Sequence, residues 1–352
     1  MDEYINCLKE KFNYSQELSD LLGKIVPTMI QYYGDEYADT IKDALSNCEI
    51  HIQKENEDTT AYLQQYFDTK KEWDIPMMAG AFIETNVSKK DEDVELKNLI
   101  YIKTNFGSKY DPFDYENGDK VKKLVHEMCH LVKTYDRYKK NGDDVVAYSG
   151  FIEENFSYDP VKNEYVSTKS TNVGIEEAFN SFDETQIMYM LTGVKYKATY
   201  PGLASAASQI MRYPNAASAI RKSQFTGSDD WIKALGGQEQ AMNVANSLED
   251  WVQLFYMPHS ELKKPDHKEY HDLVVNKAVM AVNSCVDRLE KERQADAIIA
   301  GMEAGTISDN PIQEENTFSP SLRAFTVFKF LSLFTIVLFI SVAFIFLYFY
   351  TK

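Results

Sequence analysis

Residues 121–135 read VKKLVHEMCHLVKTY, and this segment carries the clearest motif of the chain. Its apolar residues recur at steps of three and four, which predicts an amphipathic helix. Residues four apart share a helix face, so His126 and His130 can direct their imidazoles at one metal ion. Glu127 lies beside the first histidine, where a carboxylate can take a proton from a water on that metal. An H-E-x-x-H motif on a helix therefore predicts a zinc site that activates water.

The alternative is a structural helix with two histidines that happen to lie four residues apart. Only six histidines occur in the whole chain, and two of them flank a glutamate here, which favours the metal site. Cys129 is not predicted to be a ligand, because one residue of helix turns its side chain about 100° away from His130. We expect a buried thiol instead. Asn117 and Asp119 are the predicted start of the helix, and Asn141-Gly142 marks a stop after it.

A catalytic zinc site usually has a third protein ligand and an open position. A third histidine close to His130 is excluded, because the chain continues Leu-Val-Lys-Thr-Tyr. The other source is a glutamate on a second helix, and residues 174–181, GIEEAFNS, open such a helix. These two segments together resemble the gluzincin metallopeptidases related to thermolysin. The resemblance implies that Glu177 is the third zinc ligand, and Glu176, which replaces the family's asparagine, remains the alternative.

The chain departs from the gluzincin pattern in two places. Ser181 stands where the family has an aspartate that supports the first histidine, and Asp183 or Glu184 could take over that role. The 46 residues between His130 and Glu177 also exceed the thermolysin-type spacing. We expect a hairpin there, with strands at 145–148 and 164–167 and a turn near Asp159-Pro160.

The resemblance implies a zinc-dependent metalloendopeptidase with one Zn²⁺ per chain and a peptide or protein substrate. Glu127 would be the general base. Residues 99–104 and 81–85 are predicted to be neighbouring strands, and the resemblance implies that an edge strand above the metal helix pairs with the substrate. A further donor is needed for the oxyanion, and the chemically able candidates are Tyr148, Tyr189, His259, His267 and His271.

Composition predicts an acidic protein, whereas the α+β class is predicted from the strand and helix patterns and from the resemblance. Asp and Glu outnumber Lys and Arg by 54 to 37, so the net charge is −17, and nucleic acid is excluded as a partner. The fold prediction is a zincin-like metallopeptidase domain with a small sheet and a mostly helical remainder, plus one C-terminal transmembrane helix. The predicted regions are an N-terminal helical region (1–75), the metallopeptidase domain with a helical C-terminal part (76–303), a linker (304–329) and the transmembrane helix (330–350).

The transmembrane prediction comes from residues 330–350, which carry no charge. Twenty-one residues of helix span about 31 Å, which matches a hydrocarbon core of about 30 Å. No signal peptide is evident, and four scattered cysteines do not form a disulfide framework. These features predict a single-pass C-terminal anchor in a lipid bilayer with the catalytic domain in the cytoplasm.

Two other functions compete with the peptidase. One is a catalytically inactive zinc-binding interaction domain tethered to a membrane. It stays an alternative because Ser181 replaces the aspartate that supports the first histidine in gluzincins. Glu127 argues against it, because a purely structural zinc site does not need that carboxylate. The other is a membrane-anchored helical scaffold without metal, which requires both motifs to be coincidences.

Overall fold

The computed structural model describes residues 1–69, 81–90, 93–103, 121–133, 138–142, 144–257 and 267–303. One compact unit comprises Met1–Gln294, and a second begins at Ala295, of which only the end of the last helix is described. The helices of the described residues are α1 (Asp2–Phe12), α2 (Gln16–Tyr33), α3 (Ala38–Ser46), α4 (Thr59–Phe67), α5 (Val121–Leu131), α6 (Val173–Thr192), α7 (Pro201–Met211), α8 (Pro214–Thr226), α9 (Asp230–Ala234), α10 (Gln238–Tyr256) and α11 (His267–Glu303), with a short 3-10 helix at Asp35–Tyr37.

The motif helix α5 packs on the N-terminal helices. Leu22 and Ile25 of α2 are fully buried in the same apolar cluster as Val125 and Met128 of α5. Each such side chain contributes about 1.5–3 kcal/mol through removal from water. The start of α2 is fixed by Ser15, whose hydroxyl accepts a hydrogen bond from the Leu18 N–H at 3.2 Å. The side of α5 opposite the histidines is therefore buried in a core that α1, α2 and α3 also form.

A three-stranded sheet lies beside α5, in the order β1-β3-β2. Strand β3 (Asp93–Ile102) is central; it pairs in parallel with β1 (Cys48–Ile52) and antiparallel with β2 (Ala81–Lys90). The prediction of neighbouring strands at 81–85 and 99–104 is confirmed as far as Ile102, and Thr104 lies outside the described residues. Strand β1 was not predicted, so the region 1–75 contributes a strand as well as helices. Strand β2 occupies an edge of the sheet.

A four-stranded antiparallel sheet, in the order β4-β5-β6-β7, fills the stretch between the two metal-site helices. Its strands are β4 (Tyr138–Asn141), β5 (Asp144–Ser149), β6 (Ile152–Asp159) and β7 (Glu164–Thr171). The predicted pairing of 145–148 with 164–167 is wrong, because β6 lies between them and pairs with both. Only Phe156 of β6 is buried, so this strand lacks the apolar alternation that identifies strands in a sequence.

The predicted end of the motif helix is also corrected. Helix α5 ends at Leu131, whereas Asn141-Gly142 belongs to the hairpin between β4 and β5. Gly142 has φ +65°, a left-handed conformation that glycine adopts readily, which explains its presence in the turn. The predicted start residues Asn117 and Asp119 lie outside the described residues.

Helix α6 joins the second apolar cluster, formed with helices α7 to α11 and including Trp231 and Trp251. Its first turn lies directly against α10. A Cβ placed on Gly174 would stand 2.3 Å from the Leu248 and Glu249 backbone, so only glycine fits there. The Gly174 N–H also donates to the Glu249 carboxylate at 2.8 Å. This close approach fixes the start of the helix that carries the third predicted ligand.

The predicted transmembrane helix over 330–350 requires correction. Among the described residues, no helix is both long enough and apolar enough to cross a membrane. The longest, α11, has 37 residues, but its charged residues recur along the whole length. Residues 304–352, which include the predicted linker and span, lie outside the described residues. The membrane helix in the fold prediction, and the membrane localisation inferred from it, rested on sequence hydropathy and length alone and are not supported by the described part of the chain.

Candidate metal centre and its cleft

Helix α5 places the two motif histidines on one buried face. His126 and His130 are 4% and 5% exposed, and their ring centroids lie 5.0 Å apart. The spacing of four residues carries both imidazoles to the same side of the helix. Because the opposite side of α5 is packed against the N-terminal helices, this face is turned towards α6.

Helix α6 supplies the carboxylate that completes the group. The Glu177 Oε2 lies 3.1 Å from His126 Nε2 and 3.5 Å from His130 Nε2. Tetrahedral ligands at about 2.0–2.1 Å from a zinc ion would lie about 3.3–3.4 Å from one another. The two measured separations bracket that value, and all three ligand atoms lie within 4.8 Å of each other. His126, His130 and Glu177 therefore form a buried group that could hold a metal ion.

Glu176, the alternative third ligand, points elsewhere. Its Oε1 accepts from Lys133 Nζ at 3.2 Å, and its Oε2 accepts from the Phe151 N–H at 2.8 Å. The Gln224 amide donates to both oxygens at 3.2 Å. With both of its oxygens engaged away from the histidines, Glu176 is unsuited to bind the same ion.

Glu184 occupies the supporting position that Ser181 leaves empty. His126 Nδ1 lies 2.7 Å from the Glu184 Oε2, and Glu184 is fully buried. The Ser181 hydroxyl is also buried but has no hydrogen-bond partner among the described residues. Positions 177, 181 and 184 follow the helical repeat, so the acid has moved one turn along the same face. A carboxylate on Nδ1 fixes the ring orientation and leaves Nε2 free for a metal.

Burial and neighbouring charges set the ionisation of this group. Burial raises the pKa of Glu177, but His130 and His126 outweigh it and hold that pKa well below its usual range. Burial lowers the pKa of His126, whereas Glu184 and Glu177 raise it well above its usual value in the metal-free protein. Glu177 is thus anionic, as a metal ligand must be, and a bound cation would replace the proton on His126.

Glu127 lines the cleft, whereas Cys129 lies in the apolar cluster formed with the N-terminal helices. Burial raises the pKa of Glu127, against the lowering effect of His126 and His130, which brings this carboxyl closer to the range of a general base near neutral pH. Burial also raises the pKa of the Cys129 thiol, and Cys129 is fully enclosed in the apolar cluster of the N-terminal helices. A thiol kept protonated in a core is not a metal ligand.

The three candidate ligands His126, His130 and Glu177, called the metal group below, lie at a cleft of about 530 Å³. Residues 81–85 of the edge strand β2 line it, and Ile152 and Glu154 of β6 line it from the second sheet. Glu127 lines it together with His126, His130 and Glu177. Polar, titratable and apolar groups thus converge in a volume suited to part of a peptide chain.

Two tyrosines missed by sequence reasoning line this cleft. The Tyr200 and Tyr256 hydroxyls lie 3.3 Å apart, and the Tyr200 ring centroid is 6.2 Å from that of His126. Burial and the Glu177 charge raise the pKa of Tyr200 above its usual value and that of Tyr256 to about 12. Both phenols stay neutral near pH 7 and can donate hydrogen bonds.

The oxyanion candidates chosen from the sequence are not brought to the metal group. Tyr148 lines a small neighbouring cavity, and Tyr189 is 48% exposed on α6. His267 and His271 lie in the first turns of α11, and none of these four lines the cleft. His259 lies outside the described residues. Tyr200 follows the ligand helix in a Tyr-Pro-Gly break, and no sequence signal distinguishes it from the other tyrosines.

No known protein family matches this chain, and neither does any curated protein or any solved structure. The resemblance to gluzincins therefore stays a prediction, and the site must be judged on its own geometry.

A buried ionic network adjoins the metal group on the side of Glu176. Lys133, just after α5, is 1% exposed; its Nζ donates to Glu176 at 3.2 Å, to Asp183 at 3.1 Å and to the Asn180 Oδ1 at 2.5 Å. Burial lowers the pKa of Lys133, but Glu176 and Asp183 outweigh it and raise that pKa. One cation thus joins the end of α5 to three successive turns of α6.

The network continues into α2. The Tyr32 and Tyr33 hydroxyls donate to Asp183 at 2.7 and 3.1 Å. Asp183, the other candidate support for His126, is therefore engaged by Lys133 and the tyrosines instead. These bonds restrict the rotation of α6 about its axis, on which the direction of Glu177 depends.

Replacement of Lys133 by methionine is expected to lower the free energy of unfolding by about 3–5 kcal/mol, because Glu176 and Asp183 would remain buried without their cation. Chemical denaturation measures the change. The control is Lys162→Met, which removes an exposed pair with Glu164 at 3.8 Å and should change stability little. Equal effects of the two substitutions would contradict the assigned network.

Proposed function

We propose that this protein is a zinc-dependent metalloendopeptidase that binds one zinc ion through His126, His130 and Glu177. The observation that carries the proposal is the convergence of these three ligand atoms in a cleft that Glu127 also lines. Two imidazoles and one carboxylate, with a position left for water, are the ligand set of catalytic zinc. Sites for magnesium or calcium are built from oxygen donors instead.

Zinc, when bound, supplies a Lewis acid that polarises a peptide carbonyl and lowers the pKa of a water towards neutrality. Glu127 would take a proton from the attacking water as the water oxygen forms the new bond to the carbonyl carbon. The same carboxyl would then deliver that proton to the amide nitrogen as the C–N bond breaks, which leaves a free amine and a carboxylic acid. The raised pKa of Glu127 suits a group that must both accept and release a proton.

Tyr200 and Tyr256 are the proposed donors to the oxyanion. Both hydroxyls lie in the cleft, and their raised pKa values keep the protons available. Donors that are already oriented towards the developing negative charge stabilise it without reorganising during the reaction. The hydrogen bond between the two hydroxyls leaves one proton of the pair free for a substrate oxygen.

Strand β2 is the proposed binding surface for the substrate backbone. It lies at the sheet edge, and its first half lines the cleft. An extended peptide can add to such an edge through main-chain hydrogen bonds. Because this mode engages backbone rather than a chain terminus, it supports cleavage within a peptide.

The full chain, purified with and without added zinc, should cleave peptides from a random library only when zinc is bound. A chelator should remove the activity, and stoichiometric zinc should restore it; mass spectrometry of the products identifies the cut bonds. Cleavage that persists in fully chelated protein, or no cleavage by zinc-loaded protein across the library, would contradict the proposal.

A further inference from the structure

The segment from Gly193 to Tyr200 joins α6 to α7 without forming a helix or strand. Most of it is exposed, yet it is bonded to α5 at one point and to α6 at another. The Lys122 ammonium of α5 donates to the Lys197 carbonyl at 2.6 Å. Near its end, Thr199 contacts Glu184, the carboxylate that supports His126. The end of the segment, Thr199 and Tyr200, therefore forms part of the cleft wall, and one of its two anchors is the carboxylate that supports His126.

Glu184 makes contacts in two directions with one carboxylate. Its Oε2 lies 2.7 Å from His126 Nδ1 and accepts from the Thr199 hydroxyl at 2.8 Å. Its Oε1 accepts from the Thr199 backbone N–H. Both oxygens are engaged and the side chain is fully buried, so its orientation depends on Thr199. A change at Thr199 must therefore reach His126.

The same bonds determine where Tyr200 lies. Thr199 and Tyr200 are consecutive, and both line the cleft. A backbone N–H held by a buried carboxylate restricts the main chain at Thr199, which in turn restricts the position of the next side chain. Tyr200 is further supported by the Phe255 ring at a centroid distance of 5.0 Å and by the Tyr256 hydroxyl.

We propose that Thr199 is a positioning residue that acts through Glu184 on both His126 and Tyr200. The Glu184 carboxylate then fixes both the orientation of the His126 ring and the position of the Tyr200 side chain in the cleft. This inference rests on the proposed function. It assigns to an exposed threonine, outside any motif, control over metal affinity and over placement of the oxyanion donor.

Thr199→Val keeps the shape of the side chain and removes its hydroxyl, whereas Thr199→Ser keeps the hydroxyl. Loss of a partner that orients a metal ligand typically costs 10–100-fold in metal affinity or activity. Because the backbone bond to Glu184 persists, we expect the lower end of that range for Thr199→Val, about tenfold in zinc affinity and in kcat, with KM nearly unchanged. Thr199→Ser should restore both quantities.

The matched control is Thr226→Val, which removes an exposed threonine hydroxyl that donates to the Lys222 carbonyl at 2.7 Å in α8. It should leave zinc affinity and kcat unchanged. Zinc affinity is measured by competition with a chromophoric chelator, and the visible spectrum of the cobalt-substituted protein reports the ligand geometry. Hydrogen exchange of residues 193–200 should be faster in Thr199→Val than in wild type.

Zinc affinity and kcat of Thr199→Val that match wild type would overturn the proposal, and so would a serine variant as impaired as the valine variant. If wild type binds zinc but cleaves nothing, the proposed function fails, whereas zinc affinity and hydrogen exchange still decide the role of Thr199. If wild type binds no metal, both fail. If Thr199→Val does not fold, Thr199→Ala, which also lacks the hydroxyl, is compared with wild type and Thr199→Ser instead, with the same expected losses.

Discussion

Glu127→Gln should abolish most peptide cleavage while zinc stays bound. The amide has nearly the shape of the carboxylate but cannot accept the proton of the attacking water, and general-base catalysis contributes about 10²–10⁴-fold to rate. The predicted ligands are His126, His130 and Glu177, so the substitution removes none of them. We expect kcat to fall by that factor with unchanged zinc content, measured by steady-state kinetics and elemental analysis.

The control for this experiment is Glu153→Gln, an exposed glutamate on β6 that does not line the cleft. It removes the same charge without touching the site and should retain wild-type kinetics. A Glu127→Gln protein with more than a tenth of wild-type kcat would contradict the role of Glu127. If zinc is lost together with activity, Glu127 instead binds the metal or stabilises the folded protein.

Glu177→Ala should lower zinc affinity by more than the 10–100-fold that loss of an outer-sphere partner costs, because it removes one of three direct ligands. The carboxylate is also the anionic member of the group, so its removal leaves only the two imidazoles as ligands in a buried site. Competition with a chelator of known affinity measures the change at equilibrium.

The neighbouring Glu176→Gln is the informative comparison for Glu177→Ala. It changes a buried glutamate one residue away whose oxygens contact Lys133, Phe151 and Gln224. We expect reduced stability and near wild-type zinc affinity in the folded protein. If Glu177→Ala keeps its zinc affinity and Glu176→Gln loses it, Glu176 rather than Glu177 is the third zinc ligand.

The part of the site that sequence reasoning found depends on local spacing. The direction of His126 and His130 follows from the helical repeat alone, and the candidate glutamates of α6 follow from a short motif. The choice between Glu176 and Glu177 needed the structure, because adjacent helix positions point about 100° apart and only packing decides which one faces α5.

The part that was missed depends on contacts distant in sequence. Strand β6 carries too few apolar residues to be distinguished from a loop, although it separates two strands that seemed to pair. Tyr200 and Tyr256 meet because α7 and α10 pack on α6, and nothing near either residue in the sequence shows this. Thr199 is exposed, so neither periodicity nor burial would have selected it.

The transmembrane prediction, which the described residues do not support, came from a different kind of signal. Length and apolarity describe a segment by itself, and they agreed with the dimensions of a bilayer. Neighbouring helices cover the apolar faces of the two helices that carry the candidate ligands, α2 on α5 and α10 on α6.

X-ray absorption at the zinc edge of the purified full chain tests the central claim most directly. The expected result is one zinc per chain with nitrogen and oxygen ligands at about 2.0–2.2 Å and the multiple-scattering signal of two imidazoles. A sulfur ligand at about 2.3 Å would place Cys129 or another cysteine on the metal. That result, or a chain without stoichiometric zinc after loading, would contradict a site formed by His126, His130 and Glu177.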